Sequence, residues 1–314
     1  ASGQGFGLHD ELTVAGLECH VLAPTKLVRS RKHEKNKTDE KDADQILQLL
    51  RGHVLAGNSL PTCWVPDPQT RDDREIVRAR LDVAEKVSEV KTQVQGLLKR
   101  HRLIRPERAG NGWTKKFRAW LEATSRDEQG APGLRGTLAS LLRQLKFLEE
   151  EVGRVEEELQ RLLESPRYAA AVAELTKLQG VGLLTALVFL TEVGDVRRFG
   201  NRRQISAYLG LVPSCHESGA CHDRKGHITR QGPSRVRRVL CQATWTAIRH
   251  EGPDQAAYQR IARKNPKHKK VAVVAAMRRL AVRMWHKARE APTVASAFQG
   301  ANGAEALAQA RAAG

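Results

Sequence analysis

Apolar residues recur along this chain with one dominant period. The longest regular run is Leu138, Leu141, Leu145, Leu148, Val152, Val155, Leu159 and Leu162, stepping by three and four throughout. A seam of this kind marks a long helix that packs one narrow face. A second seam, Val83, Val87, Val90, Val94 and Leu97, runs after Arg74 and ends before Pro106. Together they predict an antiparallel pair of long helices, packed either as a core hairpin within one chain or as a coiled coil with another copy. Between them, Trp113, Phe117 and Trp120 share one face of a short helix.

The segments on either side of this pair are shorter. Leu8, Leu12 and Ala15 stand at near-helical spacing, and Gly16 stops the run. Residues 18–23 alternate and end at Pro24, which predicts a strand. A helix then starts at Thr38 or Asp39, either of which can cap it, with Ile46, Leu47, Leu49 and Leu50 as the expected buried face. Pro61, Pro66 and Pro68 mark residues 52–72 as a linker. Beyond Pro166, two apolar helices meet through Gln179-Gly180-Val181-Gly182, and a short helix covers 204–209. Two more follow, one with Val239, Leu240, Ala243 and Trp245 on its apolar face, the other with Val271, Val274, Met277, Leu280 and Met284. The Ala/Gly-rich tail after Pro292 has no apolar face and is expected to be disordered.

Charge changes this picture from a helical scaffold to a binder of polyanions. The 314 residues carry 53 Lys and Arg against 35 Asp and Glu, a formal net charge of +18. A chain this basic fits nucleic acid first and an anionic membrane surface second. No stretch has the roughly 18 uninterrupted apolar residues of a membrane span. Few aromatics argue against single-strand stacking platforms. The five cysteines, at 19, 63, 215, 221 and 241, form no disulfide framework and suit a reducing cytoplasm. Ala1 in place of methionine places the start within a domain or after processing.

Three motifs carry candidate chemistry. Asp39 and Asp42 are three residues apart and share a helix face; they are either an ordinary acidic first turn or a carboxylate pair for a divalent metal. Gly180 and Gly182 form either a tight turn between core helices or a hairpin whose backbone N–H groups approach a phosphate. Residues 210–238 combine a turn-rich loop, Ser218-Gly219, and the cations Arg224, Lys225, His227, Arg230, Arg235, Arg237 and Arg238. This is either a solvated basic loop or a serine nucleophile assisted by cations, since serine at its ordinary pKa needs such help. The repeated Cys-His pairs at 215–216 and 221–222 have the wrong spacing for zinc.

In order along the chain, these motifs resemble the transposases of insertion-sequence family 110, relatives of the Piv DNA invertase. The resemblance rests on Ala1-Ser2-Gly3, Lys37-Thr38-Asp39-x-x-Asp42-Ala43, residues 178–182, Tyr208-Leu209-Gly210-Leu211-x-Pro213, Ser218-Gly219, Ile228-Thr229-Arg230-x-Gly232 and Arg237-Arg238. Gly232-Pro233 departs from it, because the family usually has a polar residue after that glycine.

The implied fold class is mixed and mainly α: an incomplete RNase H-like α/β domain, long coiled-coil helices, and an α-helical domain with a helix-hairpin-helix-like element. The implied domains are a truncated RuvC-like Asp-Glu-Asp-Asp domain at 1–73, a coiled-coil stalk at 74–166, a serine transposase domain at 167–290 and a tail at 291–314. Asp39 and Asp42 correspond to the third and fourth acids; the first two would precede Ala1, making this an N-terminally truncated copy. Ser218 corresponds to the nucleophile. Lys37, Gly180, Gly182, Arg224, Lys225, Arg230, Arg235, Arg237 and Arg238 are the expected nucleic-acid contacts.

The implied activity is cutting and rejoining of DNA with Mg²⁺ by a homo-oligomer, dimer or tetramer, held through the coiled coil. Some members are guided by a structured non-coding RNA. The alternative is a catalytically dead remnant that binds nucleic acid and transfers no strands.

Overall fold

A computed structural model describes residues 5–23, 26, 38–110, 112–215, 225–264, 266 and 268–291. Lys37, Ser218 and Arg224 lie outside the described residues, as does the tail after 291. The chain divides into two compact units, one over residues 1–68 with 299–314, the other over 69–298.

Among the described residues of the first unit, α1 (Phe6–Val14) and α2 (Asp39–Ala56) are helices. The strand expected at 18–23 is reduced to a bridge between Leu22 and Thr62, flanked by Cys63 N donating to Val21 O at 2.8 Å and Ala23 N to Pro61 O at 2.8 Å. Thr38 caps α2, its hydroxyl accepting from Lys41 N, and Asp39, Glu40 and Asp42 occupy the first turn, where carboxylates favour the helix dipole. Gly57, with φ 68°, ends the helix. The buried face predicted for α2 is absent: no residue of α2 is buried, and Val54 is 70% exposed. The apolar stripe exists, but no described residue of the unit buries it.

The second unit begins in α3 (Pro68–Arg100), which starts six residues before the helical pattern becomes legible. Pro68 is suited to a first helical position, where its missing N–H costs nothing. α4 (Lys115–Arg126) and α5 (Pro132–Glu164) complete a stalk. The two seams meet within the chain: Val87, Val90, Val94, Leu97 and Leu98 pack with Phe117 and Leu121 and with Leu134, Leu138, Leu141 and Leu145 in one cluster. Ion pairs Arg80–Glu156 at 2.5 Å and Lys91–Glu149 at 3.3 Å fix the antiparallel sense of α3 and α5.

Glu149 also accepts two hydrogen bonds from Arg118, at 2.5 and 2.7 Å. Arg118 first, then Lys91, hold the Glu149 carboxyl below the ordinary carboxylate range, against the opposing effect of partial burial. A depressed carboxylate pKa contributes stability above its unfolded value, about pH 4.3, that is lost as pH falls through the folded value. Thermal melts are therefore expected to show wild type losing stability more steeply on acidification than Glu149→Gln. Identical acid limbs would contradict this role.

The remainder of the second unit is a helical domain around α7 (Leu183–Val193). Every residue of α7 from 186 to 193 is buried: the apolar run 186–190 and Val193 require it, and Thr191 and Glu192 are hydrogen-bonded. α6 (Ala169–Thr176), α8 (Arg202–Tyr208), α9 (Ser234–Arg249), α10 (Pro253–Lys264) and α11 (Lys269–Glu290) accompany it. Between α8 and α9, β1 (Pro213–Cys215) and β2 (Lys225–Ile228) form an antiparallel ribbon with Pro213 opposite Ile228 and Cys215 opposite Lys225. Two expected core residues are surface residues: Trp245 is 43% exposed and Val271 half-exposed. Trp245 lies two positions from Ala243, about 200° around the helix from the buried stripe.

No described helix is long and apolar enough to cross a membrane.

Candidate nucleic-acid interface

The β1–β2 ribbon rests on two glycines that approach one another's neighbours. Gly210 has φ 64°, and a Cβ there would lie 2.2 Å from Gln231 O. Gly232 has φ 78°, and a Cβ there would lie 1.9 Å from Tyr208 O. Only glycine permits both the left-handed backbone and the approach. The clasp is completed by Arg230 N donating to Gly210 O at 3.3 Å and Thr229 N to Val212 O at 2.9 Å. The segment 216–224, which contains Ser218, starts and ends on the paired Cys215 and Lys225. Ser214, the other serine of this loop, is already engaged, its hydroxyl donating to His227 O at 3.0 Å.

Of the expected cations here, Arg237 works on the backbone. Its Nη1 donates to Leu209 O, Gln231 O and Gly232 O at 3.2, 2.9 and 3.0 Å, so it locks the clasp. Burial, and then the neighbouring Arg230, push its pKa down. Arg235 pairs with both carboxylate oxygens of Asp82, at 3.1 and 3.0 Å, and Arg238 with Glu85 at 2.7 Å, joining α9 to α3. These pairs are half-exposed, and pairs of that kind contribute only about 0–1 kcal/mol, so a phosphate can displace the carboxylates. Arg230 is exposed, at φ 54°, and enters no ion pair among the described residues.

The two hairpin glycines have different roles. A Cβ on Gly180 would lie 2.3 Å from Ala243 O and 2.9 Å from Ala247 N, so Gly180 lets the hairpin pack on α9. Gly182, the N-cap of α7, has nothing within 4 Å of a Cβ position and leaves the start of α7 open. In the first unit, Asp39 and Asp42 sit together in the first turn of α2, exposed and half-exposed. Among the described residues no three His, Cys, Asp or Glu side chains converge on a point that could hold a metal.

A further group had no signal in hydrophobic periodicity. Arg74, buried near the start of α3, donates from Nε to Thr191 O at 2.6 Å and from Nη2 to Glu192 O at 3.1 Å. Arg198 donates to Val193 O at 3.1 Å, and Tyr208 to Glu192 O at 3.1 Å. The last carbonyls of α7, which lack partners within the helix, are thus taken by two guanidiniums and a phenol. Burial pushes the pKa of both arginines down. The Glu192 side chain accepts from Arg78 at 2.7 and 3.1 Å. Asp73 accepts from the buried Tyr168 hydroxyl at 2.6 Å; burial, with this bond second, raises the Tyr168 pKa. α7 and the root of the stalk are therefore joined by polar contacts that apolar periodicity does not register.

Residues 172–260 match the profile of the Transposase IS116/IS110/IS902 family. A putative transposase of Sinorhizobium fredii, y4rJ, is 30% identical over 300 residues, which cover 90% of this chain and 74% of that protein. The chain belongs to this transposase family. A second putative transposase of the same bacterium, y4qE, is 33% identical over 246 residues, 78% of this chain and 57% of that protein. The transposase of insertion sequence element IS1111A from Coxiella burnetii is 27% identical over 234 residues, 72% of this chain and 60% of that protein. The chain thus spans little more than half of y4qE. In this IS110-family chain the matched segment contains the open start of α7, the whole glycine clasp and the arginine-bearing face of α9.

Proposed function

We propose that this chain is a DNA transposase of the recombinase type, in which Ser218 attacks a phosphodiester from the loop carried by the β1–β2 ribbon. The observation that supports it best is the clasp. Gly210, Gly232 and Arg237 immobilise both feet of the Ser218 segment at the edge of a rigid helical core, with Arg230 exposed beside them. In the step, the serine oxygen bonds to phosphorus, the bond from phosphorus to the departing strand oxygen breaks, and the serine proton leaves to a base. Arg230, with Arg235 and Arg238 once released from Asp82 and Glu85, meets the negative charge on phosphate. The open start of α7 at Gly182 offers backbone N–H groups to a neighbouring phosphate.

Asp39 and Asp42 are hard oxygen donors on one helix face, which suits Mg²⁺, an ion that takes one or two protein carboxylates and completes its shell with water and phosphate. When bound, Mg²⁺ supplies Lewis-acid stabilisation of phosphate charge. The test is strand exchange by a version extended to the length of its relatives, comparing wild type with Ser218→Ala and Asp39→Asn. Unchanged exchange by Ser218→Ala overturns the proposal. DNA binding without exchange by the wild type favours the alternative of a non-catalytic binding remnant, for which the lack of a three-donor metal cluster among the described residues is the supporting observation. Adding RNA transcribed from the element's flanks tests guidance by a structured RNA, which should make exchange depend on that RNA.

Self-association through the stalk belongs to the same proposal. Phe147 is 58% exposed on α5 and borders a groove of about 380 Å³ formed with Lys86, Val90 and Leu148. A large apolar side chain exposed on a helix pair suits a second copy of that pair. Light scattering is expected to find a dimer or larger assembly, with Phe147→Asp raising its dissociation constant about tenfold or more. Equal masses for variant and wild type at every concentration would remove this surface from the assembly.

A further inference from the structure

The far end of the stalk carries a charge pattern that the proposed site does not use. Between residues 99 and 121 the only acid is Glu107. In that interval Lys99, Arg100, Arg102, Arg108, Lys115 and Lys116 are all exposed. The ion pairs at this end, Lys91–Glu149 and Arg118–Glu149, use none of the six.

Their mounting is firm. Arg102, at φ 55°, turns the chain out of α3. Arg105 is spent on structure: its guanidinium lies 3.8 Å from the Phe117 ring centroid and donates to Ala109 O and Gly112 O. Thr114 caps α4, accepting from Phe117 N at 3.1 Å and donating to Ala109 O at 2.7 Å. Trp113 and Trp120 pack on Phe117, with centroids 5.3 and 5.7 Å away. The six cations are therefore held on a preorganised cap and need little further ordering to bind.

We infer that this cap is a second DNA-binding surface, which grips the phosphate backbone of duplex DNA away from the Ser218 loop. The inference rests on the reading that the chain acts on DNA. Complementarity of charge selects a polyanion. The aromatic residues are drawn into the cluster, leaving Ile104, 88% exposed, as the large apolar side chain presented. The surface presents six cations for phosphates, with Trp113 and Trp120 half-buried against Phe117, so contacts are mainly to the backbone and largely independent of sequence. Leu81 is the last α3 residue in the core around α7, and Arg100 lies 19 residues further on, about 28 Å at 1.5 Å per residue. On the middle stalk Glu156 and Glu158 are paired with Arg80 and Arg161, so their charge is largely offset, and exposed Glu157 disfavours a duplex laid along it. The contact at the cap is thus separate from the one at the arginines of the clasp and α9.

The test uses the full 314-residue chain, a duplex of about 40 base pairs, and a variant with Arg100, Arg102, Arg108 and Lys115 replaced by Gln. Circular dichroism melts check that the variant folds, and Arg105 is left intact because it holds the cap. The slope of log affinity against log salt is expected to fall by about three, and affinity at 0.1 M salt roughly 30- to 100-fold, equally for unrelated duplex sequences. Hydroxyl-radical footprints should show wild type protecting two separated tracts and the variant one. An unchanged slope and footprint overturn the second surface while leaving the Ser218 proposal intact. Failure of wild type to bind any duplex overturns both. Loss confined to a structured RNA hairpin, or to vesicles rich in phosphatidylserine, overturns the assignment to DNA.

Discussion

On the proposed mechanism, Ser218→Ala is expected to lower strand exchange by at least about 10³-fold while leaving duplex affinity within roughly twofold, because it would remove the nucleophile and no charge. Ser214→Ala is the control that gives this result meaning. Ser214 stands four residues before Ser218, on β1, and its hydroxyl is committed to His227 O across the ribbon. Its loss should cost a surface hydrogen bond, about 1 kcal/mol, and alter exchange only a few-fold. Gel assays of exchange and fluorescence anisotropy of binding separate the two effects. Equal activity losses in both variants would mean that the ribbon, not the Ser218 hydroxyl, is what exchange requires.

The second large effect is on stability. Gly232→Ala should destabilise the second unit by about 3–5 kcal/mol, combining left-handed strain at alanine with overpacking. The added Cβ meets the Tyr208 carbonyl oxygen at 1.9 Å, and that contact is backbone to backbone, so no side chain can rotate away. Relief requires the whole ribbon to shift off α8, which would break the three carbonyl contacts of Arg237. Urea denaturation measures the change, and a loss under about 1 kcal/mol would show that the clasp is loose. Gly182→Ala, with open space around it, should behave as a mild surface change by comparison.

These cases show what can be inferred from residues in order and what cannot. The stalk was legible because leucines recur at a fixed local spacing, and a helix turns any such spacing into a face. The root of α3 was not. Asp73 and Arg74 are buried polar residues whose partners, Tyr168 and the end of α7, lie about a hundred positions away, and local patterning has no access to that distance. The cations of α9 were found by their density, yet Arg235 and Arg238 face Asp82 and Glu85, 153 residues earlier. Arg237 turned inward for carbonyls left open by a turn that only the folded clasp creates. α2 presents the converse case: Ile46, Leu47, Leu49 and Leu50 were expected to be buried, and none of them is buried among the described residues. Residue chemistry offered Ser218 as one of two readings of a basic loop and resemblance chose it, while Lys37 rests on resemblance; both fall outside the described residues.

The uninterrupted course of α3 has a mechanical consequence. One helix of 33 residues runs from the buried root at Asp73 and Arg74 to the cationic cap. It is clamped near its start to the carbonyls of α7 and packed at its far end on α4 and α5, so the stalk would move as one arm. A tilt of some 10° about the root would swing the cap through a distance on the order of 5 Å over its 28 Å reach. A load on the cap would arrive as torque at the Arg74 contacts, directly beneath the helix whose opposite end opens at Gly182.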